Sequence, residues 1–480
     1  MRRGRGWSTA LMLLLTVGVG GAWIARTAAA RAPDAGPSTP PPGTPLPAPP
    51  LPADAAALDA RLDALGAIVD DASREIAIDA LWNALVEAGQ VPWRDADGAV
   101  RLLYRAPKGA ALPTAVGWVG DLSGWRPANA LDGARVGRSR IWRRPLALPS
   151  DARLDYKLML NGSIYAVDPA NPLTQLGGYG PNNVLQMPAY APPTAPVARD
   201  DVPKGALHDW QTLPFAATRE RGPDGRPPLP STLRYRVYVP ADYDADAPAR
   251  HPVLYLTDGT DYAHPEMGGL VTTLDNLIAD GRIPPTLAVF LDPNDLRADE
   301  NRRDDLFLHR AAFYRTWIIE RVVPAVDTAY RTRATRDGRS LIGTSYGGVF
   351  ATDVALSDAG AAAFGRFGVH SPAYWADGEL LDGRLAAAVV APSAVDRLQG
   401  ARFFFSTGTF NDGLTTTRQV IDALRAAGAT VVDVEVNDGH SWGHWRATMA
   451  RMVETLVATA AAVDAEPQSA PAQGAHSGEF

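Results

Sequence analysis

Ser340-Leu341-Ile342-Gly343-Thr344-Ser345-Tyr346-Gly347-Gly348 carries a short apolar strand straight into a predicted helix, through a turn that holds one serine between glycines. A strand that turns so sharply forces the residue at the corner into a strained backbone conformation. The chain on either side then comes so close that a Cβ at position 343 or 347 would clash, so glycine is needed there. The serine oxygen is pushed out at the carboxyl end of the strand. The helix N-terminus behind it favours negative charge developing nearby. The pentapeptide G-x-S-x-G also occurs by chance as a Gly-rich turn with a serine cap. The strand before it and the helix after it set this occurrence apart.

Outward from this corner, strands and helices alternate from about residue 205. Strands are expected at Tyr235–Val239, Val253–Thr257, Leu287–Leu291, Ser340–Gly343, Phe367–His370, Phe403–Thr407 and Val431–Val436. Helices are expected near 268–280, 308–329, 347–357, 415–427 and 443–463. Several strands are unbroken apolar runs, the pattern of a sheet covered on both faces, and the alternation implies a mostly parallel sheet. The fold class is therefore α/β, with a catalytic domain over 205–464. Residues 95–195 read differently. Short apolar runs at Val100–Tyr104, Ala115–Val119, Ile141–Leu148 and Leu154–Leu160 are separated by Gly, Pro, Asn and Asp, as in a small β-sandwich. Leu58, Leu62, Leu65, Ile68 and Val69 recur at helical spacing, giving a helical segment over 55–92.

The chain has 480 residues and is 46% hydrophobic, enough for two or more packed cores. A net charge of -7 leaves no basic face for nucleic acid, and no nucleic-acid partner is expected. The absence of cysteine excludes disulfides, thiolate metal sites and a cysteine nucleophile. Arg2, Arg3 and Arg5 precede an apolar run over Trp7 to Ile24, and small residues follow at Ala28, Ala29 and Ala30. This order marks residues 1–30 as a signal peptide, or as an N-terminal membrane anchor if the run is not cleaved. Either reading places the catalytic part in the periplasm or outside the cell. Residues 31–54 form a Pro- and Ala-rich linker, and 465–480 read as a disordered tail. The oligomeric state is not legible.

A serine nucleophile needs a base. Of eight histidines, only His440, His444 and His476 follow Ser345 at sufficient distance. His440 comes just after the last predicted strand, in a loop that points back across the top of the sheet, and is the expected base. His444 falls in the next helix, where packing or substrate contact accounts for it. Asp412, after Phe403–Thr407, is the expected acid; Asp433 and Asp438 are weaker rivals. Two amides are expected to hold an oxyanion, those of Tyr346 and of Thr260 in the Asp258-Gly259-Thr260 loop. His440 and His444 have helical metal spacing, but without an adjacent Glu and across a loop end. No metal or other cofactor is expected.

The region from about 230 to 460 resembles an esterase family that includes esterase D and enterochelin esterase. The matching phrases include Val253–Gly259, Val323–Thr332 and Ile342–Gly348. Gly439-His440-Ser441-Trp442-Gly443-His444-Trp445-Arg446 is similar to the Gly-His-Asp-x-x-x-Trp-Arg phrase of enterochelin esterases, with Ser441 in place of Asp. Trp118-Val119-Gly120-Asp121-Leu122-Ser123-Gly124-Trp125 resembles a phrase of the immunoglobulin-like domains found before such esterases and in glycogen-binding modules. The resemblance implies an α/β-hydrolase domain behind an immunoglobulin-like sandwich. It also implies substrate contacts by Arg297, Glu300, Tyr262, Trp442 and Arg446, with a surface ion pair as the plain alternative for Arg297 and Glu300. Arg297, Arg302, Arg303 and Arg446 would suit an anionic catecholate, with solvated loop arginines as the plain alternative. For Trp118, Trp125 and Trp142, carbohydrate binding and core packing are both open, with packing favoured.

Three functions follow. The first is hydrolysis of a small-molecule ester, such as a siderophore lactone, through a Ser-His-Asp acyl-enzyme. The second is removal of acetyl or feruloyl groups from polysaccharide, with the glycan ester as partner. The third is a non-catalytic binding protein on a hydrolase fold, against which the complete Ser, His and Asp set speaks.

Overall fold

The computed structural model describes residues 50–215, 226–295, 300–376 and 392–458. The expected leader, most of the linker and the expected tail lie outside them. Two helices come first, α1 (Ala55–Ala67) and α2 (Asp71–Glu87). Each starts on an aspartate: Asp54 accepts the amide of Ala57 and Asp70 that of Ser73, both at 2.7 Å. Such a cap satisfies a first-turn donor that has no partner within its helix.

The strands that follow are β1 (Trp93–Arg94), β2 (Ala99–Arg105), β3 (Val116–Gly120), β4 (Leu131–Asp132), β5 (Ala134–Arg135), β6 (Ile141–Ala147), β7 (Arg153–Leu160), β8 (Ile164–Ala166), β9 (Thr174–Gly177) and β10 (Gly180–Gln186). They make two sheets, ordered β1-β2-β6-β5 and β4-β3-β7-β10-β9, with β8 on β7. Val100, Leu102 and Tyr104 alternate along β2 and face Trp118, Leu154, Tyr156 and Leu158 in the sandwich core. Leu103, on the opposite face of β2, packs with Leu58, Leu62, Ile78 and Leu81 of the two helices. The helices therefore close a sheet face that would otherwise be wet. Trp118 and Trp142 are buried in these cores, so packing accounts for both, and neither presents a ring to a glycan.

The second region contains β11 (Ala206–Leu207), β12 (Gln211–Pro214), β13 (Thr232–Val239), β14 (Val253–Leu256), α3 (Gly259–Ala263), α4 (Leu270–Ala279), β15 (Leu287–Asp292), β16 (Asn294–Asp295) and β17 (Glu300–Asn301). It continues with α5 (Ala311–Trp317), α6 (Val323–Ala329), β18 (Arg339–Thr344), α7 (Tyr346–Ala355), α8 (Asp358–Ala363), β19 (Arg366–His370), α9 (Pro392–Leu398), β20 (Arg402–Gly408), α10 (Leu414–Ala426), β21 (Thr430–Val436) and α11 (Trp442–Val457). The main sheet runs β11-β13-β15-β14-β18-β19-β20-β21, with β12 beside β13. β13 is antiparallel to β15, and every pairing from β15 through β14 to β21 is parallel.

Side chains of the central strands divide between two cores by alternation. Val253, Tyr255, Val289 and Leu341 enter one; Leu254, Leu256, Phe290 and Ile342 enter the other, which also takes residues of α4 and α11. Residues two apart along a strand share a face, which explains the split. The single helix expected over 308–329 is instead a series of segments, with wide turns at Asp305–His309 and Ile318–Val322 around α5. Pro324 lacks the amide that would continue a regular ladder there, and the chain widens ahead of it. The chain leaves β14 for β15 on one side and returns to β18 on the other. Strand order thus reverses between β14 and β18, and a crevice opens above their carboxyl ends.

Phe350 of α7 is fully buried against the rings of Phe307 and Tyr314, 5.8 and 5.3 Å away between centroids. Phe350→Ala is expected to cost about 3–5 kcal/mol of stability, read as a lowered urea midpoint with an unchanged slope.

Candidate active site

Ser345 stands at the carboxyl end of β18 with φ 57° and ψ -118°. A non-glycine residue holds positive φ only where its surroundings impose it. Here the Ser345 amide donates to the His370 carbonyl at 2.9 Å, and its carbonyl accepts from Ala373 at 3.2 Å. A Cβ on Gly343 would collide with the Gly347 carbonyl, and one on Gly347 with the Thr257 hydroxyl. The crowding expected at this corner is present.

The loop after β21 brings His440 over the serine, with Nε2 2.9 Å from Ser345 Oγ. His440 Nδ1 lies 2.7 Å from Asp412 Oδ1. Nδ1–H donation to the carboxylate leaves Nε2 free to accept the serine proton. Asp412 follows β20 and is buried, and its other oxygen accepts from the Ser371 hydroxyl and the Gly408 amide, both at 2.6 Å. Trp445 Nε1 donates to the same Ser371 oxygen at 2.8 Å. The imidazole is flanked edge-on by Trp375 and Trp445, each with its centroid 5.2 Å away. The rival acids are engaged elsewhere, Asp433 by Arg425 and Asp438 by Arg153.

Tyr346 and Thr260 lie in the first turns of α7 and α3, on adjacent strand ends of the reversal. First-turn amides have no acceptor in their own helix, so both remain available to an oxygen above the crevice. Behind them, Arg303 contacts Asp258 at 3.0 and 3.1 Å, donates to the Thr344 carbonyl at 3.3 Å, and lies 5.1 Å from the Tyr346 ring centroid. Its charge is met by a buried carboxylate, so it braces the serine turn. Burial and the neighbouring Asp258 push Asp261 up to about 7, against the pull of Arg303.

Several residues expected to touch a substrate do not line the crevice. Tyr262 and Trp442 are buried, with ring centroids 5.2 Å apart edge-to-face, because the helical turns that carry them face the core beneath α11. Arg446 donates to the Pro265 carbonyl at 2.7 Å and to the Pro196 carbonyl at 3.3 Å, tying the stretch that follows the sandwich to the loop after α3. Arg302 is buried with Asp305. Glu300 is exposed on the β16–β17 hairpin. Arg297 lies outside the described residues. His444 is buried, and its Nδ1 is 3.1 Å from the Gly439 carbonyl. Burial pushes it down to about 4, so it packs as a neutral ring. Ser371 and Trp375 were not expected at the site. Their signal was position: Ser371 ends β19 as Ser345 ends β18, and such strand ends collect at the crevice.

The raised carboxyl of Asp261 has a consequence for stability. Between the unfolded value near 3.8 and about 7, the folded state binds more protons than the unfolded one, so this group weakens folding as pH rises through that window. Asp261→Asn removes the effect. Urea midpoints at pH 4, 6 and 8 are expected to show the variant gaining on the wild type up to about 7, with no further gain above it.

Comparisons with known proteins agree with this architecture. The enterobactin esterase from Shigella flexneri, solved in the presence of 2,3-di-hydroxy-N-benzoyl-serine, aligns over 76% of this chain and 94% of its own, with 17% identity and a TM-score of 0.56. The ferric enterobactin esterase from Salmonella typhimurium aligns over 76% and 95%, with 18% identity and a TM-score of 0.56. Both show a shared fold. The endo-1,4-beta-xylanase/feruloyl esterase of Xylanibacter ruminicola is 25% identical over 230 residues, which is 46% of this chain and 28% of that relative's length. The model of the Esterase family, described as Putative esterase, matches residues 228–456, so this region of the chain is similar to that family.

Proposed function

We propose that the chain is a serine carboxylic ester hydrolase working through an acyl-enzyme on Ser345. The observation that carries this reading is the unbroken relay of 2.9 Å from Ser345 Oγ to His440 Nε2 and 2.7 Å from His440 Nδ1 to a buried Asp412. His440 accepts the serine proton as Oγ attacks the ester carbonyl, then returns a proton to the departing alcohol. Water, deprotonated by the same imidazole, releases the acid. Asp412 holds the ring and stabilises the imidazolium that forms. The amides of Tyr346 and Thr260 take the oxyanion.

The substrate class we propose is an ester that bears an aromatic group. Trp375 supports this, since its ring is 45% exposed while standing edge-on beside His440, which offers a flat apolar wall. A catecholate lactone of the enterobactin kind comes first, because the enterobactin esterases share the fold across almost their whole length. A feruloyl ester is the second reading, suggested by the name of the Xylanibacter relative. Export also remains part of the proposal, resting on the apolar leader of residues 1–30.

Hydrolysis of p-nitrophenyl acetate is expected to fall by at least about 1,000-fold in Ser345→Ala and by roughly 10,000-fold in Asp412→Asn. Wild-type-like turnover in folded Ser345→Ala would overturn the mechanism. Trp375→Ala is expected to lose about 2- to 10-fold more kcat/KM on methyl ferulate than on methyl acetate; equal losses on both would remove the aromatic assignment.

A further inference from the structure

The loops that carry His440 and Asp412 are both tied to the sandwich. Arg153 opens β7, and its buried guanidinium lies 2.8 Å from Asp155, 3.4 Å from both oxygens of Asp438 and 3.1 Å from Ser441 Oγ. Its backbone amide donates to the Asn437 carbonyl at 2.9 Å. Residues 437, 438 and 441 are therefore fastened on both sides of His440. The acid loop is held in parallel, with Asn411 Nδ2 donating to the Asp121 and Leu122 carbonyls at 2.8 and 3.0 Å. Asp121 in turn accepts the amide of Asp155 at 2.7 Å, which joins both attachments into one hydrogen-bonded network.

Close approach is built into the histidine loop. A Cβ on Gly439 would collide with the Asp121 side chain, and one on Gly443 with the Arg153 guanidinium. Three buried carboxylates, Asp121, Asp155 and Asp438, surround this single cation. Burial pushes Asp438 above the usual carboxylate range, against the pull of Arg153. Removing the cation leaves these acids without their partner, and a loop so crowded cannot keep its place.

We infer that Arg153 is a positioning residue for the reaction: the sandwich, through this side chain and the parallel Asn411 contact, sets where His440 and Asp412 stand against Ser345. The inference rests on the esterase reading above. If Arg153 only joined the two regions, its loss would lower stability and leave turnover by the folded protein intact.

The test uses the full chain and p-nitrophenyl acetate, with thermal unfolding and near-UV circular dichroism to establish the folded fraction. Arg153→Gln is expected to lower kcat by about 10- to 100-fold, with KM within about twofold of wild type, as for a misplaced catalytic group. Arg153→Lys keeps the charge without the fork and is expected to recover part of that loss. Arg143→Gln, which breaks contacts to Asp59 and Asp63 on α1, serves as a control for lost stability with unchanged kcat. Should Arg153→Gln fail to fold, Asn411→Gly keeps the positive φ of that position and cuts only the second attachment. A kcat loss of about 10-fold or more there supports the inference. A kcat within about twofold of wild type in folded Arg153→Gln, or in Asn411→Gly if the first does not fold, overturns it. Absence of Ser345-dependent turnover in the wild type would instead sink the esterase reading, and this inference with it.

Discussion

Both oxygens of Asp412 are committed, one to the imidazole of His440 and the other to the Ser371 hydroxyl and the Gly408 amide. The carboxylate is closed to solvent, so it cannot trade these partners for water. A group held by several converging donors keeps one rotamer, and the imidazole it orients keeps one face toward the serine. Everything else near the crevice serves that relation. Glycines let the serine turn close, Arg303 and Asp258 brace it from behind, and Trp375 and Trp445 confine the ring from its edges.

The sheet accounts for how residues so far apart in the chain meet. Ser345, Ser371 and Asp412 follow three successive neighbours, β18, β19 and β20, and His440 follows β21. Parallel strands deliver all these loops to the same end of the sheet. The reversal between β14 and β18 opens space there, with the first turns of α3 and α7 on its rim. The geometry is therefore a consequence of topology, to which the local chemistry of each loop adds the reacting group.

Much of this was legible because the signals were local. The apolar runs of the central strands and the Gly-Ser-Gly corner announce themselves within a few residues, and so do the positions of His440 and Asp412 after their strands. The last sandwich strand was not legible. Gly180–Gln186 contains glycine, proline and two asparagines, poor strand formers held in place by tertiary bonds such as Asn183 to the Asp168 amide at 2.6 Å. Tyr262 and Trp442 were expected at the substrate from the family resemblance. The helical turn sends them into the core instead. Arg153 and Asp438 lie 285 positions apart, and nothing in either neighbourhood discloses the other.

Covalent capture reaches the central claim most directly. A fluorophosphonate probe reacts only with a serine whose hydroxyl is activated by a neighbouring base, and peptide mapping then locates the adduct. One adduct on Ser345, lost when His440 is replaced by alanine, is the predicted result. An unlabelled Ser345 in folded protein, or labelling that persists without His440, would contradict the account.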